Sequence, residues 1–192
     1  MKNNYEHHFD MVSILLHWGM ALAVFFLFGL GLYMVELTYY DSWYRGSTAL
    51  HKSIGLCVFM FLVVRVFWRI KTSLLSSSLN LHQEQKSLEL RVAVFVHILL
   101  YVLVASLCLS GYFISTAGGR DVEFFSWFAL PPLPVEIENQ EDVAGDWHYY
   151  FAWGLMGLTA LHALAALKHH FIDRDDILKN MLKPSKINKG DS

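Results

Sequence analysis

The chain has 192 residues, of which 55% are hydrophobic and 17% charged, and its mean hydropathy is +0.36. An ordinary soluble domain has roughly 45–50% apolar and about 25% charged residues, so this composition favours a membrane protein. The formal charge of −2 excludes the basic surface of a nucleic-acid binder, and two cysteines are too few for a disulfide scaffold. Ten histidines in so apolar a chain are the feature that needs an explanation.

Four long apolar runs follow one another along the chain, at about residues 11–35, 49–70, 92–115 and 147–171. Each is close to the ~20 residues that a helix needs to cross a hydrocarbon core of ~30 Å. Segments rich in Ser, Gly, Pro or Asp separate the runs. We therefore expect an all-α membrane protein with a single four-helix bundle in residues 1–192, of which 172–192 form a cytoplasmic tail.

The basic residues predict the orientation of this bundle, because Lys and Arg concentrate on the cytoplasmic side of the membrane. Three lie on the side of the first and third connections: Arg45, Lys52 and Arg120. Eleven lie on the side of the two termini and the second connection: Lys2, Arg69, Lys71, Lys86, Arg91, Lys168, Arg174, Lys179, Lys183, Lys186 and Lys189. Both termini are thus expected in the cytoplasm. We call that end of the bundle the inner end and the opposite end the outer end.

The third connection, within residues 121–146, is acidic. Its acids are Asp121, Glu123, Glu136, Glu138, Glu141, Asp142 and Asp146, beside a single Arg120. One interpretation is a solvated loop whose charges do no more than face water. The other is a docking surface that steers a periplasmic redox or ligand-carrying protein toward the membrane.

Histidines inside membrane spans are costly and therefore indicate function. His169 and His170 end the fourth run, and the remaining histidines of the runs are His17, His51, His97, His148 and His162. The last two are fourteen residues apart, which on a helix is a rise of about 21 Å with a return to within about 40° of the same face. By depth, His51 matches His148 near the outer end. His17 and His97 match His162 near the inner end.

Two histidines at one depth on different helices can bind a haem iron from both faces of the porphyrin. Two such pairs stacked across the bilayer would form a path for electrons. A histidine can instead bond to a neighbouring helix. For the surplus His97, the favoured interpretation is such a bond or a contact with a residue that binds the haem. Since the chain has no Cys-x-x-Cys-His motif, the haem would be non-covalent and of b type.

Two basic residues lie where haem propionates are expected. Arg65 comes fourteen residues after His51, on the same helix face and at the depth of the inner site. A buried arginine needs an anion, which a propionate supplies in bidentate geometry. Alternatively, the Arg65 side chain extends to the lipid headgroups at the inner end. Lys52 can likewise serve the outer propionates or anchor at the interface.

Several short motifs, in order along nearly the whole chain, make it similar to the bacterial cytochrome b561 family of dihaem inner-membrane cytochromes. They are Leu16-His17-Trp18, Leu50-His51-Lys52-Ser53-Ile54-Gly55, Ser110-Gly111-Tyr112, and Leu161-His162-Ala163 followed by Lys168-His169-His170-Phe171. The resemblance implies two haem b groups, one bound by His17 with His162 and the other by His51 with His148. It leaves His97 without a role as a ligand.

The resemblance also implies electron transfer between a membrane quinone, with ubiquinone as the expected partner, and a second redox species. Some members of the family act as superoxide oxidases (superoxide:ubiquinone oxidoreductases), although the acidic outer side would slow the capture of an anion. A third interpretation is a haem-containing membrane anchor for a periplasmic partner. The candidate residues for the quinone are Arg69, Lys71, His169 and His170.

Overall fold

The computed structural model describes residues 10–77, 88–135 and 137–182, and it contains the expected four-helix bundle. The helices are α1 (Met11–Val35), α2 (Tyr44–Ser77), α3 (Leu88–Thr116) and α4 (Gln140–Phe171), followed by the short α5 (Ile177–Leu182). Each of the four long helices is long and apolar enough to cross a membrane. The predicted fold class is therefore confirmed.

Three of the helices are longer than the apolar runs that predicted them. The first coincides with 11–35, whereas α2 extends beyond 49–70 at both ends. The fourth begins at Gln140, before the apolar run at 147. The reason is that helical hydrogen bonding continues into the polar residues next to the membrane, where hydropathy no longer marks the helix.

The outer connection after α3 is more ordered than the loop that the sequence suggested. Strands β1 (Val122–Phe124) and β2 (Phe128–Leu130) form an antiparallel hairpin. The backbone N–H of Phe125 in its turn donates to Oγ of the buried Ser53 on α2, at 3.0 Å. The hairpin is therefore fastened to the outer end of the bundle, close in sequence to His51.

The acidic segment 121–146 is consequently not one loop, which corrects the sequence interpretation. Glu141 and Asp142 lie in the first turn of α4, where the positive end of the helix dipole favours carboxylates. Asp146 also belongs to that helix. Some of the acids of this segment therefore stabilise the N-terminus of α4.

The helices pack in two halves around a small apolar core. α4 lies along α3 and α1 lies along α2, and the halves meet where α2 contacts α3. The buried core consists of Met20, Val58, Leu62, Val104 and Leu155. Leu155 is seven residues from both His148 and His162, or about 10 Å along the helix in either direction. The core thus separates the outer and inner histidines.

At the inner end, hydrogen bonds tie three chain segments together. Asp10 caps α1 by accepting from the backbone N–H of Ser13, and it also accepts from Trp68 Nε1 of α2 at 2.8 Å. Trp18 Nε1 donates to the carbonyl of Met181 in α5, at 2.9 Å. Burial raises the pKa of Asp10, but the hydrogen bonds from Ser13 and Trp68 outweigh it and leave this pKa below its ordinary value.

We expect Asp10→Ala to lower the free energy of unfolding by about 1 kcal/mol, the usual cost of a lost N-cap. A carboxyl whose pKa is lowered by folding stabilises fully above its unfolded pKa of about 3.9, and this contribution disappears as the pH falls through the lower folded value. Thermal unfolding in detergent at pH 7 and at pH 3 measures both effects. A difference from the unchanged protein that is equal at the two pH values would contradict this account.

Some residues used in the predictions of orientation and charge lie outside the described residues. These are Lys2, Lys86, Glu136, Lys183, Lys186 and Lys189. The location of both termini in the cytoplasm therefore stays a prediction. The same holds for the cytoplasmic tail 172–192, of which residues 183–192 are outside the described part of the chain.

Candidate functional site

The structure brings the four predicted ligand histidines together in the two predicted pairs. The ring centroids of His17 and His162 are 6.4 Å apart at an interplanar angle of 68°, and those of His51 and His148 are 6.1 Å apart at 62°. An imidazole nitrogen binds a metal at roughly 2 Å, so two imidazoles on opposite sides of one iron have centroids roughly 6 Å apart. Both pairs therefore have the separation that a bis-histidine haem requires.

Each pair also joins the two halves of the bundle. His148 and His162 are on α4, which packs along α3, whereas His51 and His17 belong to α2 and α1 of the other half. In the described residues, no group of three or more His, Cys, Asp or Glu side chains is placed to hold a metal ion alone. At each level, two imidazole rings from different halves of the bundle lie close to each other.

At the outer level, α3 fixes the tautomer of His148. Ser110 Oγ donates to the carbonyl of Leu107 at 3.1 Å and lies 3.0 Å from His148 Nδ1. A hydroxyl has one proton to give, so towards His148 its oxygen is the acceptor and Nδ1 carries the hydrogen. The Nε2 lone pair of His148 is thereby left for a metal, as expected of an axial ligand.

Glycines allow the helix backbones to approach the outer histidines. A Cβ atom on Gly111 would lie 3.3 Å from His148 Cε1, and one on Gly31 would lie 3.6 Å from His51 Cε1. The first of these distances is too short for ordinary van der Waals contact, so Gly111 of α3 is needed for this position of the His148 ring. His51 Nδ1 is buried without a hydrogen-bond partner in the described part of the chain.

At the inner level, Arg65 bridges α2 to two neighbouring helices. Its Nη2 is 3.0 Å from His17 Nδ1 and its Nε donates to Tyr101 Oη at 3.1 Å. A guanidinium only donates, so His17 Nδ1 is the acceptor here, which differs from the arrangement at His148. Arg65 Nη1 is buried and has no partner among the described residues. A buried donor of this kind is suited to an anion such as a propionate.

The surplus His97 lies against the inner pair. Its Nδ1 is 2.7 Å from the carbonyl of Ala93 one turn earlier on α3. Its ring is 5.1 Å from that of His162, at an interplanar angle of 77°. The Nδ1 atom of His97 is thus bonded within α3, and His97 contacts α4 through the two imidazole rings.

At the outer surface, Lys52 lies among charges of both signs. It interacts electrostatically with Arg120, Glu141 and Glu123, and Arg120 Nη2 forms a salt bridge with Glu141 Oε2 at 3.3 Å. Lys52 is half-buried, next in sequence to His51. Two of the three outer bases are therefore partly neutralised by acids from the third connection.

Two of the quinone candidates are on α2. Arg69 and Lys71 are both exposed. Lys71 Nζ lies 5.2 Å from the ring centroid of Trp68, and Arg69 acts electrostatically on His97. These two residues therefore border the inner level from the α2 side.

The other two candidates are at the end of α4. His169 Nδ1 lies 2.7 Å from Asp173 Oδ2 and 3.6 Å from Asp175 Oδ2. The hydrogen bond from Lys168, followed by the charges of Lys168 and His169, holds the pKa of Asp173 below its ordinary value. His170 Nδ1 is buried without a partner among the described residues. The contacts of the described residues do not join these histidines to Arg69 and Lys71.

Known proteins with similar sequences identify the family of this chain. The family model described as "Prokaryotic cytochrome b561" matches residues 8–184. "Cytochrome b561 homolog 2" of Escherichia coli (strain K12) is 41% identical over 187 residues, which are 97% of each chain. "Cytochrome b561 homolog 1" of the same organism is 26% identical over 185 residues, covering 92% of this chain and 97% of the relative. The chain therefore belongs to the prokaryotic cytochrome b561 family, which makes it a multi-pass, haem b-binding protein of the bacterial inner membrane.

Proposed function

We propose that this cytochrome carries electrons across the inner membrane through two stacked haem b groups, between the quinone pool and a periplasmic redox species. His51 and His148 bind the outer haem, and His17 and His162 bind the inner one. The observation that carries the proposal is the pair of neighbouring imidazoles at each level, with ring centroids 6.1 Å and 6.4 Å apart, on either side of one apolar core.

The bound haem supplies a one-electron couple between ferric and ferrous iron. The chain's own residues set the conditions for that couple. Two histidines would hold each haem iron, which would favour electron transfer over the binding of a small molecule at the metal. The apolar core around Leu155 excludes water between the two levels and keeps the helices that hold them at fixed positions.

In the proposed complex, Arg65 binds a propionate of the inner haem. An iron-bound neutral His17 carries its proton on Nδ1, so the guanidinium, which only donates, turns from that nitrogen to the anion. The partnerless Nη1 of Arg65 supports this role. Lys52 takes the corresponding role at the outer haem, where Arg120 and the acids around it moderate its charge.

We expect Arg65→Leu to lower the reduction potential of the inner haem, because removing a buried positive charge favours the ferric iron. A tenfold change in the ferric-to-ferrous ratio is about 59 mV for a one-electron couple, and we expect a shift of that order. Potentiometric titration followed at the haem bands measures it. Arg91→Gln, an exposed site at the inner end of α3, is the matched control. An unchanged inner potential in Arg65→Leu would contradict the assignment.

The proposed quinone site is at the inner end, with ubiquinone as the expected partner. Reduction of a quinone consumes protons as well as electrons, and His169 with Asp173 places a protonatable group there. The exposed Arg69 and Lys71 supply positive charge for a quinone anion from the α2 side. At the outer end, the acidic residues of 121–146 that remain exposed form the proposed docking surface for a basic periplasmic partner.

One experiment separates this electron relay from its alternatives. Purified oxidised protein is mixed either with ubiquinol or with enzymatically generated superoxide, and the ferrous haem band is followed. The relay predicts rapid reduction by ubiquinol and little by superoxide, because acids accompany the outer bases. Fast reduction by superoxide that added ubiquinone reverses would establish a superoxide oxidase instead. Haems that ubiquinol leaves oxidised would favour the membrane anchor.

A further inference from the structure

His97 is not among the four proposed haem ligands. Its ring is nevertheless closer to the ring of His162 than the ring of His17 is. The centroids of His97 and His162 are 5.1 Å apart, against 6.4 Å for His17 and His162. At roughly 6 Å a metal fits between two imidazoles, whereas the shorter separation is that of rings in direct contact. His17 is therefore far enough from His162 for a metal to lie between the two rings, whereas His97 contacts the ring of His162 directly.

The tautomer of His97 is set by its own helix. Its Nδ1 lies 2.7 Å from the carbonyl of Ala93, and a carbonyl oxygen only accepts, so Nδ1 of the neutral ring carries the hydrogen. The lone pair is then on Nε2, at the other side of the ring. His97 is thus prepared to accept a hydrogen bond.

At the outer level, a residue of α3 already accepts a hydrogen bond from a histidine of α4. There, Ser110 of α3 is the acceptor for Nδ1–H of His148 on α4. His97 and Ser110 are thirteen residues apart on α3, and His148 and His162 are fourteen apart on α4. Because these two helices run antiparallel side by side, Ser110 lies at the depth of His148 and His97 at the depth of His162.

We propose that His97 is the positioning residue of His162, whose Nδ1–H it accepts at Nε2. This inference rests on the proposed function, in which Nε2 of His162 binds the inner iron. A histidine ligand regularly donates its second N–H to an acceptor, which fixes the ring and makes it a stronger donor to the metal. Although α3 carries no ligand, it thereby orients both ligands of α4 and stabilises the ferric state of both haems.

The test compares His97→Leu, which removes the acceptor, with His97→Gln, whose amide oxygen restores one. In His97→Leu we expect two bound haems, a tenfold higher ferrous-to-ferric ratio of the inner haem at a fixed potential, which is about 59 mV, and a changed low-spin EPR signal of that haem. His97→Gln should return the ferrous-to-ferric ratio and the EPR signal of the inner haem towards their original values. Ser110→Ala is the matched variant and should shift the outer haem alone.

An inner haem whose potential and EPR signal are the same in His97→Leu as in the unchanged protein would overturn the proposal. A shift that His97→Gln fails to reverse would also overturn it, because the effect would then come from packing and not from the acceptor. Failure of the proposed function gives a different result. In that case the unchanged protein itself lacks two low-spin b haems, or His162→Ala leaves both of them in place.

Discussion

His162→Ala is expected to reduce the haem content of the purified protein from two per chain to one. The remaining haem should show the spectrum and potential of the outer site, because His51 and His148 lie at the other side of the apolar core. The loss should be nearly complete, since a haem held by His17 alone would no longer be bound from both halves of the bundle. Pyridine haemochrome analysis against protein concentration measures the stoichiometry.

The reciprocal variant His148→Ala provides the control for this result. It should remove the outer haem and keep the inner one, so the two variants together assign both potentials. His97→Ala should keep two haems, which distinguishes a ligand from a neighbour. If His162→Ala retained two haems while His97→Ala lost one, the ligand pair of the inner level would be His17 with His97, and the present assignment would be wrong.

Gly111→Val is expected to remove the outer haem without touching a ligand. Even the Cβ atom of this side chain would lie 3.3 Å from Cε1 and 3.6 Å from Nδ1 of His148. The branched side chain is larger still and would displace the imidazole from its bond to Ser110. We expect one haem per chain in Gly111→Val and a weakened second haem in Gly111→Ala, measured as the fraction retained after dilution in detergent.

Gly19→Val is the matched control for the change at Gly111. Gly19 is also a glycine of a membrane-spanning helix, but it is exposed and a Cβ atom there would meet nothing within 4 Å. This variant should retain two haems. Equal haem loss in both variants would show that any valine in a spanning helix has the effect, and it would remove the argument for close approach at Gly111.

The sequence was sufficient for the four helices and for the pair of histidines at the outer level. Apolar runs of about twenty residues identify spanning helices directly. The spacing between His148 and His162 places them on one helix face, and depth then matches His148 with His51. At the inner level depth leaves both His17 and His97 beside His162, and only the resemblance to the family selects His17. These inferences succeed because a helix in a membrane is straight and regular enough for sequence distance to become spatial distance.

The contacts around the histidines were beyond the sequence. The roles of Ser110 and Gly111 depend on how closely α3 approaches α4, and the contacts of Arg65 with His17 and Tyr101 depend on the rotation of three helices. A hydropathy pattern determines neither the distance between two helices nor the rotation of a helix about its axis. The hairpin β1–β2 was also missed, because strands of three residues are too short for an alternating pattern to stand out.

The central claim is that electrons pass across the membrane from one haem to the other. The most direct test encloses ferricyanide in liposomes that contain the protein and adds dithionite, to which the bilayer is impermeable, on the outside. We predict that the trapped ferricyanide is reduced much faster than in protein-free liposomes, and that both His51→Ala and His162→Ala abolish the difference. Reduction at the protein-free rate, in liposomes whose haems dithionite does reduce, would contradict the account.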